Sequence, residues 1–124
     1  MSKKVMVVDD SFTARKIMVS AFKDLDLEII EYETSNEAYE RLQKDPDFLM
    51  IFTDLNMPEQ NGFKFIKKVR KNEALKDLPI CVFTSMVDDD TIAEIKALGV
   101  EAFFPKPVQK EQVRIIAEKM LEKN

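Results

Sequence analysis

Three observations in the sequence predict a doubly wound α/β domain, with a five-stranded parallel sheet between layers of five helices. Short apolar runs recur five times, each run is followed by apolar residues returning at spacings of three and four, and the links between these units are short. Apolar runs without alternation read as strands covered on both faces. The three-and-four spacing gives one apolar stripe on a helix, and short links imply right-handed crossovers between parallel strands. At 124 residues the chain has the size of one domain, and folding removes roughly two-thirds of its unfolded surface from water. A single domain over residues 1–124 is therefore expected.

The first unit is a strand from Lys4 to Val8, an acidic turn at Asp9 and Asp10, and a helix marked by Ala14, Ile17, Met18, Ala21, Phe22 and Leu25. The second runs from Glu28 to Tyr32 as strand and from Asn36 to Lys44 as helix, with Thr34 or Ser35 able to cap it. Phe48 to Thr53 reads as the most apolar strand, followed by a loop from Leu55 to Asn61 and a helix from about Gly62 to Lys71. Leu78 to Thr84 is the fourth strand, and its helix, from about Asp89 to Leu98, stops at Gly99, a suitable C-cap. Glu101 to Phe104 is the fifth strand, and Val113, Ile116, Ala117 and Met120 mark the last helix. Pro105 lacks the N–H a ladder needs, which puts the fifth strand at a sheet edge.

Composition excludes several kinds of chemistry. Histidine is absent, so Ser-His-Asp and Cys-His nucleophile systems and imidazole metal sites are not available. The single cysteine, Cys81, sits in an apolar run and reads as packing rather than redox. A net charge of −4 gives no long-range attraction to nucleic acid. No apolar run approaches the roughly 18 residues of a membrane span, and a cytoplasmic location is expected. Two glycines, Gly62 and Gly99, cannot build the glycine-rich nucleotide loops common to this fold class.

In such sheets, reactive groups gather at the carboxyl ends of the strands. Those ends carry Asp9 and Asp10, then Asp54, then Thr84 and Ser85, then Lys106. Each alone has an ordinary reading as a helix cap, a turn former or a solvated charge. Three carboxylates brought together repel unless a cation or a proton neutralises them. A hard divalent ion with oxygen ligands is the natural partner, and magnesium suits a shallow site. The run Asp88-Asp89-Asp90 reads as acidic residues complementing a helix dipole, and Met18, Met50 and Met120 as core.

Taken together, these residues resemble the receiver domain of two-component response regulators: Asp9-Asp10, Asp54, Met57-Pro58, Gly62, Thr84 and Lys106-Pro107 follow the family's spacing over essentially the whole chain. The stretch from Asp9-Asp10-Ser11 to Arg15 is similar to the chemotaxis CheY-like group. The resemblance implies a flavodoxin-like, CheY-like sheet of order 2-1-3-4-5. It implies that Asp54 accepts a phosphoryl group from a sensor histidine kinase, with Mg2+ held by Asp10, Asp54 and the Asn56 carbonyl and with Asp9 acting through water. Lys106 would pair with a phosphoryl oxygen and the Thr84 hydroxyl would move to bond another. Lys106-Pro107 would be a cis peptide, and Phe103 would be an outward-facing switch residue that turns inward. The protein would be a regulator rather than an enzyme, losing its own phosphoryl group slowly, and a monomer contacting neither membrane nor nucleic acid.

With no effector domain in the sequence, the implied output is a flagellar motor switch protein or a relay phosphotransferase. Two departures from the family pattern stand out. Met86 is apolar where a polar side chain often orients the hydrolytic water, leaving Asn56 as the nearby amide and implying a long-lived phosphoryl group. Ser85 is bulkier than the usual Ala or Gly. An aspartyl-phosphate phosphatase is the rival enzyme reading, and it needs an acid where Asn56 stands.

Overall fold

The computed structural model describes residues 3–57 and 60–123. The apolar runs form β1 Lys4–Val8, β2 Glu28–Tyr32, β3 Met50–Asp54, β4 Ile80–Thr84 and β5 Ala102–Pro105. They alternate with α1 Phe12–Ser20, α2 Ser35–Lys44, α3 Gly62–Lys71, α4 Asp89–Ala97 and α5 Lys110–Lys123. The five strands are all parallel and lie in the order β2-β1-β3-β4-β5. Central β3 and β4 are buried along their full length, which is why their sequences show no alternation.

Successive strand side chains point to opposite faces and build two cores. On one face Met6, Val8, Ile51 and Val82 meet Leu42 of α2, Ile66 of α3 and Ile95 of α4. On the other, Val5, Val7, Cys81 and Phe83 meet Met18 of α1 and Val113 and Ala117 of α5. A row of rings crosses this second face, with centroids 5.4 Å apart for Phe22 and Phe52, 6.5 Å for Phe52 and Phe83, and 5.7 Å for Phe83 and Phe104. These spacings are those at which aromatic pairs attract beyond simple area burial. Met18, Met50 and Met120 are buried. Cys81 is buried too, and burial pushes its thiol up, away from thiolate chemistry.

Helix starts follow their capping side chains. Ser11 accepts from the Ala14 N–H to open α1, and Thr34, rather than Ser35, caps α2 through the Glu37 N–H. Asp88 caps α4 through the Thr91 N–H, while Asp89 and Asp90 fill its first turn, so the acidic run stabilises a helix end.

Element ends differ from the sequence expectation where burial and hydrogen bonding part company. β3 and β4 start two residues later than the apolar runs, at Met50 and Ile80, because Phe48, Leu49 and Leu78 are buried from loops. α1 ends at Ser20 instead of reaching Leu25. Ala21 and Phe22 continue the buried stripe through a turn that places Asp24 at φ 69°. The expected loop from Leu55 to Asn61 contains a short antiparallel ribbon pairing Asn56–Met57 with Gln60–Asn61. Pro58 lies outside the described residues. β5 is an edge strand with Pro105 opposite Thr84, and the next residue supplies the missing donor, as the Lys106 N–H bonds the Thr84 carbonyl at 2.8 Å.

Arg70 ties the far end of the fold together. Its guanidinium donates to the carbonyls of Leu98, Lys76, Leu78 and Gly99 at 2.8–3.1 Å, joining the end of α3 to the end of α4 and the approach to β4. Arg70→Met keeps the aliphatic stem but strands these acceptors, and is expected to lower the urea unfolding free energy by about 2 kcal/mol. An unchanged urea midpoint would contradict this role.

Among the described residues no helix is long and apolar enough to cross a membrane.

Candidate functional site

Parallel strands deliver their carboxyl ends to one edge of the sheet. β1 is followed by Asp9 and Asp10, β3 ends on Asp54, β4 ends on Thr84, and β5 is followed by Lys106. Asp54 is thus the last residue of its strand rather than the first of a turn, in register with Phe83. The Lys106 Nζ lies 3.2 Å from Oδ2 of Asp9 and 3.2 Å from Oδ2 of Asp54. One oxygen from each of Asp9, Asp10 and Asp54 lies within 4.8 Å of the others. Asp9 and Asp54 are fully buried and Asp10 is exposed, so the cluster opens to solvent on the Asp10 side.

The backbone aims these carboxylates. Asp9 Oδ1 accepts the Ser11 N–H at 2.8 Å, and Asp54 Oδ1 accepts the Asn56 N–H at 3.0 Å. Burial raises both carboxyls above their ordinary value, and these N–H bonds and the Lys106 ammonium only partly offset it. The negative neighbour makes each rise larger, Asp10 for Asp9 and Asp9 for Asp54. Burial would lower the Lys106 ammonium, but the two carboxylates it bridges outweigh that and raise it.

Three carboxylates against one ammonium leave the pocket short of positive charge. Their close spacing and their all-oxygen chemistry fit a hard divalent cation such as Mg2+. No second acidic cluster of this kind occurs among the described residues.

Beside the carboxylates, a polar network runs between the ends of β3 and β4. Asn56 Oδ1 accepts from the Thr84 hydroxyl at 2.9 Å, from the Ser85 N–H at 3.3 Å and from the Ser85 hydroxyl at 3.4 Å. Thr84 Oγ1 in turn accepts the Met86 N–H at 2.9 Å. The threonine is therefore engaged both as donor and as acceptor. The Lys106-Pro107 peptide is cis.

The response regulator receiver domain pattern matches residues 5–118. The chain belongs to the response regulator receiver family. It is 35% identical over 118 residues to the chemotaxis protein CheY1 of Helicobacter pylori, covering 91% of this chain and 95% of that protein. It is 30% identical over 117 residues to the two-component response regulator ORR5 of rice, Oryza sativa, covering 94% and 87%. Among solved structures, the chemotaxis response regulator CheY4 of Vibrio cholerae superposes with a TM-score of 0.84 at 30% identity, covering 97% of this chain and 99% of that one.

The receiver fold brings Asp9, Asp10, Asp54, Asn56, Thr84 and Lys106 into one pocket, and Met86 stands at its edge, 39% exposed. Phe103 is half-buried and packs against the core that contains Ile95, so it is less exposed than an outward-facing residue would be. Phe104 points to the other face and meets the Phe83 ring at a tilt of 31°.

One residue behind the site was not among the expected site residues, although it ends the stretch that resembles the chemotaxis group. Arg15, in α1, is 6% exposed and its Nη1 donates to the Asp9 carbonyl at 2.7 Å. It stands six residues after Asp9 on a helix that starts at the site.

Proposed function

We propose that this receiver is a phosphoacceptor switch whose reactive group is the Asp54 carboxylate. The observation that carries the reading is the Lys106 ammonium bridging Asp9 and Asp54 inside a three-carboxylate cluster, which leaves Asp54 buried, aimed and next to a fixed positive charge. An Asp54 oxygen bonds the phosphorus of a phosphohistidine on a sensor histidine kinase as the N–P bond breaks, and the imidazole leaves with the bonding electron pair. Phosphoryl transfer of this kind depends mainly on positioning and on neutralising the equatorial oxygens. Lys106 exchanges a carboxylate partner for a phosphoryl oxygen. Asp9, Asp10, Asp54 and the Asn56 carbonyl would hold Mg2+, which supplies further neutralising charge when bound.

The Thr84 hydroxyl leaves Asn56 Oδ1 to bond a phosphoryl oxygen, and Phe103 follows it, altering the α4–β5–α5 surface that a partner reads. Phe103 has no hydroxyl, so its two positions differ by packing alone. The similarity to chemotaxis regulators favours a chemotaxis-type kinase and a flagellar motor switch protein as output, with a relay phosphotransferase as the alternative. A monomer in the cytoplasm suits this role. The phosphatase reading needs an acid two residues after the nucleophile, and Asn56 commits its amide oxygen to Thr84 and Ser85.

Incubation with acetyl phosphate and Mg2+ is expected to add one hydroxylamine-labile phosphoryl group per chain. Undiminished labelling of Asp54→Asn would overturn the assignment. Because Met86 offers no polar atom to orient an attacking water, the phosphorylated chain is expected to persist for minutes in the presence of Mg2+. Met86→Glu should shorten that lifetime by roughly tenfold, and decay of the parent within seconds would contradict the role given to Met86.

A further inference from the structure

Every polar atom of Asp9 is committed. Its N–H donates to the Tyr32 carbonyl at 3.1 Å, its carboxylate takes the Ser11 N–H and Lys106, and its own carbonyl accepts from Arg15. The first three partners are backbone or belong to the acid pocket itself. Arg15 is the exception, a buried side chain reaching the back of Asp9 from the first turn of α1.

The guanidinium does not hang from one bond. Nε pairs with Glu31 Oε1 at 3.2 Å and Nη2 with Glu33 Oε1 at 3.6 Å. Glu31 also pairs with Lys16 at 3.2 Å. Glu31 immediately precedes Tyr32, the residue whose carbonyl holds the Asp9 N–H. Arg15 therefore closes a loop of contacts from Asp9 through α1 to β2 and back to Asp9. A planar fork fixed on two sides by carboxylates has little freedom to follow a displaced carbonyl. Its charge is compensated by Glu31 and Glu33, so it adds little positive potential to the acid pocket in front.

We propose that Arg15 is a positioning residue for the acid pair: it fixes Asp9 from behind, sets the spacing of the Asp9, Asp10 and Asp54 oxygens, and thereby governs divalent-cation affinity. The proposal rests on the receiver reading of that pocket. Groups that orient metal-binding side chains from outside are typically worth about 10- to 100-fold in metal affinity. A buried arginine that merely stabilised the fold would lower unfolding free energy without touching that affinity.

The test is a Mg2+ titration followed by backbone amide shifts of Asp9, Asp10 and Ser11, with urea unfolding measured in parallel. Arg15→Met is expected to weaken Mg2+ binding by about 10-fold. Arg15→Lys retains a cationic N–H donor on a stem of nearly the same reach and should recover most of the loss. Glu31→Gln keeps an acceptor for Nε and should stay within about twofold of the parent. In an Asp9→Asn background the Arg15→Met effect on Mg2+ affinity should shrink to nearly nothing, because the two residues act as one unit.

Unchanged Mg2+ affinity in Arg15→Met, or an equal loss with and without the Asp9 carboxylate, would overturn the positioning role. If Arg15→Met does not fold, Arg15→Lys and Glu31→Gln decide: equal losses in both, proportional to lost stability, would overturn it as well. Failure of the parent chain to bind Mg2+ or to take a phosphoryl group from acetyl phosphate would instead strike the receiver chemistry itself.

Discussion

Asp54→Asn is expected to make the metal-free protein more stable than the parent at pH 7, by about 1–2 kcal/mol in urea unfolding. Burial and the neighbouring Asp9 charge raise the Asp54 carboxyl in the folded state. Above its unfolded value of 3.8 the folded chain therefore holds protons that the unfolded chain has released. Stability contributed by this group is complete below that value and is lost as pH rises through the raised folded value. Asp9, raised for the same first reason, behaves alike.

The metal-free parent should accordingly lose stability from about pH 4 toward neutrality, and the Asp54→Asn chain should lose less. The carboxyls held below their ordinary value, Asp26 by Lys3, Asp45 by Lys4 and Asp88 by Thr91, act in the opposite sense but only as pH falls below that value. Asp26 and Asp88 are exposed and Asp45 lies half-buried at the surface, so all three pairs are screened and contribute little. Mg2+ should reverse the ranking at neutral pH: at 100 times its dissociation constant it stabilises the parent by about 2.7 kcal/mol, and the variant by less. A metal-free parent whose stability climbed steadily from pH 5 to pH 7 would contradict the electrostatic account of the pocket.

Gly62→Ala should cost more than a helix-opening glycine ordinarily would. A Cβ there would lie 2.7 Å from the Leu55 Cα, 2.7 Å from the Leu55 carbonyl oxygen and 3.0 Å from the Asp54 carbonyl oxygen. These are backbone atoms and cannot rotate away, so overpacking of about 3 kcal/mol is set against roughly 1 kcal/mol of improved helix propensity. The net expectation is a loss of about 2 kcal/mol in urea unfolding.

The larger effect falls on the chemistry. The strained atoms belong to Asp54 and Leu55, and a displacement on the order of 1 Å at a reacting group lowers rate by about 100-fold. Phosphorylation by acetyl phosphate at saturating Mg2+ should fall by that factor. Gly99 provides the contrast. It sits at φ +65° with open space around its missing Cβ, so Gly99→Ala should cost about 1 kcal/mol of backbone strain and leave the phosphorylation rate unchanged. Equal effects of the two substitutions on phosphorylation would show that the Gly62 contact does not bear on Asp54.

The sequence by itself determined the layering, the strand count and the groups at the strand ends. Unbroken apolar runs such as Met50–Phe52 and Ile80–Phe83, short and rich in β-branched and aromatic residues, read as strands buried on both faces, and each is followed by a helix stripe that covers it. Pro105 marked the edge because the lack of an N–H is a covalent fact. The absence of histidine and of glycine-rich loops narrows the chemistry to carboxylates, hydroxyl and lysine.

Only the tertiary structure decided how those groups meet. The 3.2 Å contacts of Lys106 with Asp9 and with Asp54 join residues far apart in the chain, and no local pattern encodes such a distance. The half-buried position of Phe103 depends on how its edge strand packs against the core that contains Ile95, and the starts of β3 and β4 depend on where hydrogen bonding begins rather than where burial begins. Arg15 was hidden for the same reason. A charged residue on an amphipathic helix ordinarily faces water, and its burial follows from Glu31, Glu33 and the Asp9 carbonyl converging on it from another strand and another turn. Periodicity reports which face of an element is covered, whereas the partner that covers it is fixed only when the elements pack.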